Sequence, residues 1–120
     1  MRQHYTNEVA IRLAVRAAAM FARSDEELGG PSGFVRHGYM VIAPPEQEQA
    51  IRDVVPVQQA LGVRTEILTT EQVAVRWPEL NVDGVALACL EETSGYADPV
   101  LTVRSIVRSA KRQGLEVVEG

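Results

Sequence analysis

The chain has 120 residues, of which 46% are hydrophobic and 23% charged, and a formal net charge of -4. That length suits one domain of roughly 100–150 residues, and that balance excludes a disordered chain. Arginines are interleaved with acids, no apolar run nears the roughly 20 residues of a membrane-spanning helix, and the start is polar, which argues against a nucleic-acid surface, a membrane partner and a secretory signal.

Residues 7–27 read as one long helix, rich in Ala and straight-chain residues and free of Pro and Gly. Thr6 or Asn7 can cap its start. Glu8, Arg12, Arg16 and Arg23 form a polar stripe with favourable charge spacing. Ala10, Ala14, Ala17, Phe21 and Leu28 form the face expected to meet a core. The run Gly29-Gly30-Pro31-Ser32-Gly33 ends the helix. Residues 34–43 read as a strand with apolar residues on both faces, so both are expected to be covered. Gly38 within it signals a bulge or a close backbone approach. Pro44-Pro45 stops the strand, and Pro45 can open the next helix.

Residues 46–61 follow a helical pattern, with Ile51, Val54, Val55 and Leu61 on one side. Pro56 is expected to kink or split that helix, and Gly62 suits the left-handed position after it. Residues 65–68 read as a short strand. Thr69 caps a short helix, Gln72 completes a capping box, and Pro78 requires that helix to end by Trp77. Residues 85–90 read as a buried strand, and 91–96 as a loop. Asp98-Pro99 starts a helix that runs to Gln113. Ile106, Val107 and Ala110 are expected to point inward, with Lys111 and Arg112 favourably placed at the negative end of the dipole. Gly114 ends it, and Leu115-Glu116-Val117-Val118 reads as a last strand. The expected class is α+β: helices packed on a small mixed, mainly antiparallel sheet. The final helix and strand make half a βαβ unit whose partner strand is not evident, which suggests a chain cut from something larger.

The single cysteine, Cys89, can form no intrachain disulfide and offers no metal-ligand pair. A reducing, cytoplasmic setting is the default. Within an apolar strand Cys89 reads as a small core residue rather than a nucleophile. His4 and His37 titrate near neutrality, yet neither has an acid or nucleophile beside it in a recognisable arrangement. His37 reads as packed or at a solvent edge. Glu91 and Glu92 are adjacent acids in a loop and read as a solvated turn rather than a catalytic pair. Asp98 reads as a cap, and Tyr96 as packed below the sheet.

Several landmarks recur in order. They begin with Arg2-Gln3-His4-Tyr5 and Gly33-Phe34-Val35-Arg36-His37-Gly38-Tyr39-Met40-Val41-Ile42. Ala60-Leu61-Gly62-Val63, Leu68-Thr69-Thr70-Glu71-Gln72 and Arg76-Trp77-Pro78-Glu79-Leu80 follow. Gly95-Tyr96-Ala97-Asp98-Pro99 and Ala110-Lys111-Arg112-Gln113-Gly114-Leu115-Glu116-Val117 complete the series. No single piece is specific, but the ordered set resembles FAD-dependent amine oxidoreductases of the D-amino-acid oxidase superfamily, nearest to the sarcosine oxidase, glycine oxidase and dimethylglycine dehydrogenase group. The resemblance covers nearly the whole chain. It implies one incomplete domain over residues 1–120, the substrate-domain portion of a two-domain flavoenzyme. It also implies FAD in the intact parent and a small amine or amino acid as substrate. Such a parent moves a hydride equivalent from the C–H beside the amine to the flavin and releases an imine. The family's strand, GxGxxG loop and helix hold the cofactor pyrophosphate. Here Gly29-Gly30-Pro31-Ser32-Gly33 has the wrong spacing and no strand before it. The chain is therefore expected to begin after the first FAD-binding stretch, to end on a strand re-entering the FAD domain, and to be inactive alone.

By the same resemblance Arg2, in an Arg-x-x-Tyr pattern, stands near the substrate carboxylate, which a planar guanidinium pairs through two hydrogen bonds. Tyr5 would support it by packing or a hydrogen bond. The plainer alternative is a solvated arginine at a frayed terminus beside a half-buried tyrosine. No catalytic, metal-binding or FAD-contacting residue is assigned within the chain. The rival function is a free-standing α+β binding or assembly module, whose uncovered sheet edges favour a homo-oligomer. A small hydrolase would need a nucleophile–base pair that the sequence does not offer.

Overall fold

A computed structural model describes residues 1–118. Helix α1 (Glu8–Ala22) is capped by Asn7, whose side chain accepts a hydrogen bond from the Ala10 N–H at 3.2 Å. The single helix expected over 7–27 is in fact two. Arg23, at φ -121° and ψ 41°, separates α1 from α2 (Ser24–Glu27). The break lets Ser24 gather the following loop. Its carbonyl accepts from Leu28 and its hydroxyl from the Ser32 N–H. The buried stripe is also turned from the expected one: Ile11 and Ala18 are buried with Leu28, while Ala10, Ala14, Ala17 and Phe21 are half-buried.

The strand expected over 34–43 is likewise divided. Gly38, at φ +86°, turns the backbone through a conformation that residues with a Cβ rarely adopt. It sends β1 (Val35–Arg36) and β2 (Tyr39–Ala43) into different sheets. A 3-10 turn at Pro45–Gln47 leads into α3 (Glu48–Ala60). Pro56 does not split α3. Its ring faces solvent, and Ile51, Val55 and Gln58 hold the helix on the sheet at helical spacing. Gly62 ends the helix as expected, with the Val63 N–H returning to the Gln58 carbonyl at 3.0 Å. β3 (Thr65–Thr69) leads into α4 (Thr70–Arg76) through the predicted capping box. The Gln72 side chain accepts from the Thr69 N–H at 2.8 Å, and the Thr69 hydroxyl accepts from the Gln72 N–H at 3.3 Å.

β4 (Leu87–Glu91) is the centre of a three-stranded antiparallel sheet in the order β2-β4-β3. α3 covers one face, where Ile51 and Val55 meet Ala43, Leu87 and Cys89. α4 and residues 77–82 cover the other, where Val73, Trp77, Leu80 and Val82 meet Leu68, Ala88 and Leu90. All five residues of β4 are buried as a result. β5 (Gly95–Tyr96) pairs antiparallel with β1. The α+β class and the small, mainly antiparallel sheet are those expected.

α5 (Pro99–Arg112) starts on Asp98, which accepts from the Val100 and Leu101 N–H groups at 2.8 and 2.9 Å. The helix lies against the glycine-rich loop. The Ser105 hydroxyl donates to the Pro31 carbonyl at 2.8 Å. A Cβ on Gly30 would stand 2.7 Å from the Ser105 Oγ, and one on Gly29 2.6 Å from the Ser109 Cβ. The inward face is thus small and polar. Ile106 is 46% exposed instead of buried, and Val107 and Ala110 are half-buried. Gly114 closes the helix, with the Leu115 N–H bonded to the Ala110 carbonyl at 3.1 Å. Residues 115–118 form no strand, because among the described residues no neighbouring strand offers them a ladder. The molecule extends over 54 × 31 × 27 Å with a radius of gyration of 17.8 Å, against about 14 Å for a rounded domain of this length.

The closest backbone approach lies at Gly95, where a Cβ would fall 2.0 Å from the Val35 carbonyl oxygen. Gly95→Ala is expected to cost about 3 kcal/mol, the upper range of overpacking. Gly84→Ala, where nothing lies within 4 Å and only the positive φ is strained, is expected to cost about 1 kcal/mol. Urea midpoints of the two variants check the difference.

Candidate functional site

The residues ahead of α1 adopt no helix or strand of their own, yet they are tied to the end of β4 and the loop after it. The Gly95 N–H donates to the Met1 carbonyl at 3.0 Å, and the Met1 amino group donates to the Gly95 carbonyl. The Gln3 N–H donates to Oε2 of Glu91 at 2.8 Å, and the Gln3 side-chain amide to the Thr93 hydroxyl at 2.8 Å. The Gln58 side chain, reaching up from α3, donates to the Tyr5 carbonyl at 3.0 Å.

Glu91 is the centre of this arrangement and is 0% exposed. The solvated turn expected at 91–92 therefore holds only for Glu92, which is exposed. Leu87, Cys89 and Glu91 alternate on one face of β4, so the strand itself carries Glu91 under the N-terminal segment. Oε2 accepts from the Gln3 N–H and, at 2.5 Å, from the Ser94 hydroxyl. Oε1 has no hydrogen-bond partner among the described residues; Nδ1 of His4 stands 3.8 Å from it. That Nδ1 also lies 3.3 Å from Nε2 of Gln58 and 3.9 Å from Sγ of Cys89. Burial pushes the His4 imidazole below its ordinary pKa; Glu91 opposes that shift and Arg2 adds to it. Cys89 is buried beside the Thr65 hydroxyl at 2.9 Å, and burial raises its thiol pKa. Its position suits a core residue and not a nucleophile.

Arg2 stands outside this buried cluster and is exposed. Its guanidinium lies 5.5 Å from the centre of the Tyr5 ring. The Tyr39 hydroxyl, followed by that of Tyr5, raises its pKa further. Among the described residues no carboxylate forms an ion pair with it. Arg2 and Tyr5 thus come together with Tyr39, a residue that the sequence did not single out. His37 lies elsewhere, its ring 5.0 Å from that of Tyr96. Tyr96, expected to pack below the sheet, is 56% exposed, because β5 pairs with β1 away from the main sheet. A cleft of about 230 Å³ opens between α1 and the loops, lined by Gln3, Arg36, Arg64 and Thr93 among others. Neither Arg2 nor Tyr5 lines it.

Gln3, Gln58 and Ser94 escaped sequence reasoning, which placed Glu91 in a solvated turn. Extending the buried strand of 85–90 by one residue would have placed Glu91 inside as well. For Gln58, spacing from Ile51 and Val55 was the available signal. The glycine-rich loop also has a settled role. The places where Cβ atoms of Gly29, Gly30 and Gly33 would go are filled by Ser109, Ser105 and Asp98. The loop receives α5 at these positions. Among the described residues, no cluster of His, Cys, Asp and Glu is arranged to hold a metal ion, and no helix is long and apolar enough to cross a membrane.

A family model described as FAD dependent oxidoreductase matches residues 1–120. The chain belongs to this family. It is 34% identical over 107 residues to the FAD-dependent oxidoreductase domain-containing protein 1 homolog of Drosophila melanogaster, covering 86% of this chain and 21% of that protein. It is 24% identical over 115 residues to the mitochondrial sarcosine dehydrogenase of Homo sapiens, covering 94% of this chain and 12% of that protein. Among solved structures, the L-proline dehydrogenase from P. horikoshii superimposes with a TM-score of 0.85 at 26% identity, over 99% of this chain and 32% of its own. A glycine oxidase from Bacillus cereus superimposes with a TM-score of 0.73 over 98% of this chain and 33% of its own. At 20% identity that second likeness shows the fold alone. The chain therefore spans a third or less of each of these oxidoreductases.

Two outcomes follow from the buried cluster. Glu91→Ala leaves the buried Gln3 N–H without its acceptor, at an expected cost of about 1–3 kcal/mol, read from a denaturation midpoint. His4 is neutral where it is buried, whereas an unfolded histidine binds a proton near 6.5. The unfolded state thus takes up more protons below that value. The stability from neutral His4 is complete above pH 6.5 and is lost as pH falls toward the lower folded value. His4→Gln is expected to flatten that part of the acid slope, measured as urea midpoints from about pH 7 to about pH 5.

Proposed function

We propose that this chain is the substrate-side portion of an FAD-dependent oxidoreductase that oxidises the C–N bond of a small amine or amino acid of the sarcosine, glycine or dimethylglycine class. Arg2 pairs the substrate carboxylate, and Tyr5 holds the guanidinium from the side. The observation that carries this reading is the state of Arg2: exposed, flanked by two phenols, free of any acid partner among the described residues, and borne on a segment tied down at both neighbours. A planar fork that meets phenols but no acid among the described residues suits an external carboxylate. The sarcosine dehydrogenase named above supports the substrate class, and the L-proline dehydrogenase supports a small amino acid more broadly.

These residues do not fit a dinucleotide, since the glycine-rich loop is occupied by α5. In this reading, 1–120 is one incomplete domain, FAD is held by other parts of the intact protein, and the chain alone is inactive. Its compartment is a reducing one such as the cytoplasm, in keeping with the free, buried thiol of Cys89. A second reading, a binding or assembly module that self-associates, draws support from a specific surface. Val100, Val103 and Ile106 of α5 and Val9 and Leu13 of α1 are exposed, and the outer edges of β2 and β3 have no neighbour among the described strands.

Arg2→Ala in the FAD-loaded protein that carries this chain separates the two. The expected result is a KM for N-methylglycine raised at least about tenfold, with turnover of a methylamine lacking the carboxylate unchanged. Equal losses on both substrates would remove Arg2 from the substrate site. No amine oxidation by the wild-type protein would favour the assembly module.

A further inference from the structure

We infer that Glu91 is the positioning residue for Arg2: its buried carboxylate fixes the N-terminal segment so that the guanidinium is presented, unpaired, to the substrate carboxylate. This rests on the substrate-side reading above and adds the residue that makes it work. A segment with no helix or strand of its own loses about 1–2 kcal/mol of backbone entropy for each residue that is ordered. Arg2 can hold a defined direction only if its neighbours are fixed. They are, on both sides. Met1 is paired with Gly95, and the Gln3 N–H ends on Oε2 of Glu91 at 2.8 Å. The same oxygen is held from below by the Ser94 hydroxyl at 2.5 Å. Hydrogen bonds to a carboxylate are shorter and stronger than neutral ones, so this one group does more to locate Gln3 than a serine or an amide would.

The geometry also explains why Glu91 does not meet Arg2 directly. An ion pair between them would occupy the fork that a substrate needs. Glu91 instead acts through the main chain of Gln3, at the buried side of the segment, while Arg2 leaves from the exposed side. A buried carboxylate is a poor device for stability alone, since removal of its charge from water offsets much of what its contacts return.

The test is equilibrium binding of acetate and of acetamide, by ligand-observed NMR, to the FAD-loaded protein that carries this chain. Arg2→Ala should weaken acetate at least about tenfold and leave acetamide unchanged. Glu91→Gln should weaken acetate about tenfold and Ser94→Ala about threefold, again without effect on acetamide. Neither should weaken acetate further in the Arg2→Ala background, because residues that act through one another are not additive. If Glu91→Gln does not fold, Ser94→Ala decides alone. Unchanged acetate binding in these variants, equal losses of acetate and acetamide, or full additivity with Arg2→Ala would overturn the positioning role and leave the substrate-side reading standing. Unchanged acetate binding in Arg2→Ala itself would overturn both.

Discussion

A carboxylate with no exposed surface closes the central strand and holds Gln3, the middle of the first five residues. Glu91 lies on the same face of β4 as Leu87 and Cys89, but one step beyond the cover of α3. There it meets peptide N–H and hydroxyl donors rather than side-chain carbon. Apolar packing and polar fastening are thus consecutive on a single strand. The core that buries β4 also brings the acid under the terminal segment. Without the sheet, nothing in that segment would distinguish Arg2 from any solvated arginine.

Backbone proximity is the second constraint. Gly95 admits the Val35 carbonyl and both polar groups of Met1, and so joins β1, β5 and the N-terminal segment at one residue. In the glycine-rich loop, Gly29 and Gly30 let α5 settle through Ser105 and Ser109. α5 consequently turns its larger apolar side chains outward. An exposed row of Val100, Val103 and Ile106 fits a chain that spans a third or less of the oxidoreductases it resembles.

The substrate reading and the positioning role divide the N-terminal segment by side. Its exposed side carries Arg2 and Tyr5, and its buried side carries Gln3 and His4. His4, neutral among Gln58, Cys89 and Glu91, makes that buried side sensitive to acid. Tyr39 belongs to both, because it begins β2 in the same cross-strand row as Glu91 and also flanks the Arg2 guanidinium.

Local chemistry determined much of this by itself. Thr69 with Gln72, Asp98 with Pro99, and Gly62 and Gly114 act within four or five residues, and each end of helix that they announce is present. The ordered landmarks also carried the family, because they recur at set separations whatever packs upon them. The break at Arg23, the division of 34–43 at Gly38, the survival of α3 past Pro56 and the absence of a strand at 115–118 were decided by the tertiary structure. Each depends on a contact beyond the local turn, or on its absence: Ser24 on its loop, β1 on β5, α3 on the sheet, and, among the described residues, no neighbouring strand for 115–118. The same holds for the candidate site. Arg2 and Tyr5 were legible as a pattern. Glu91, 88 residues from Gln3, was not, because a carboxylate after a strand looks the same in sequence whether water or another segment covers it.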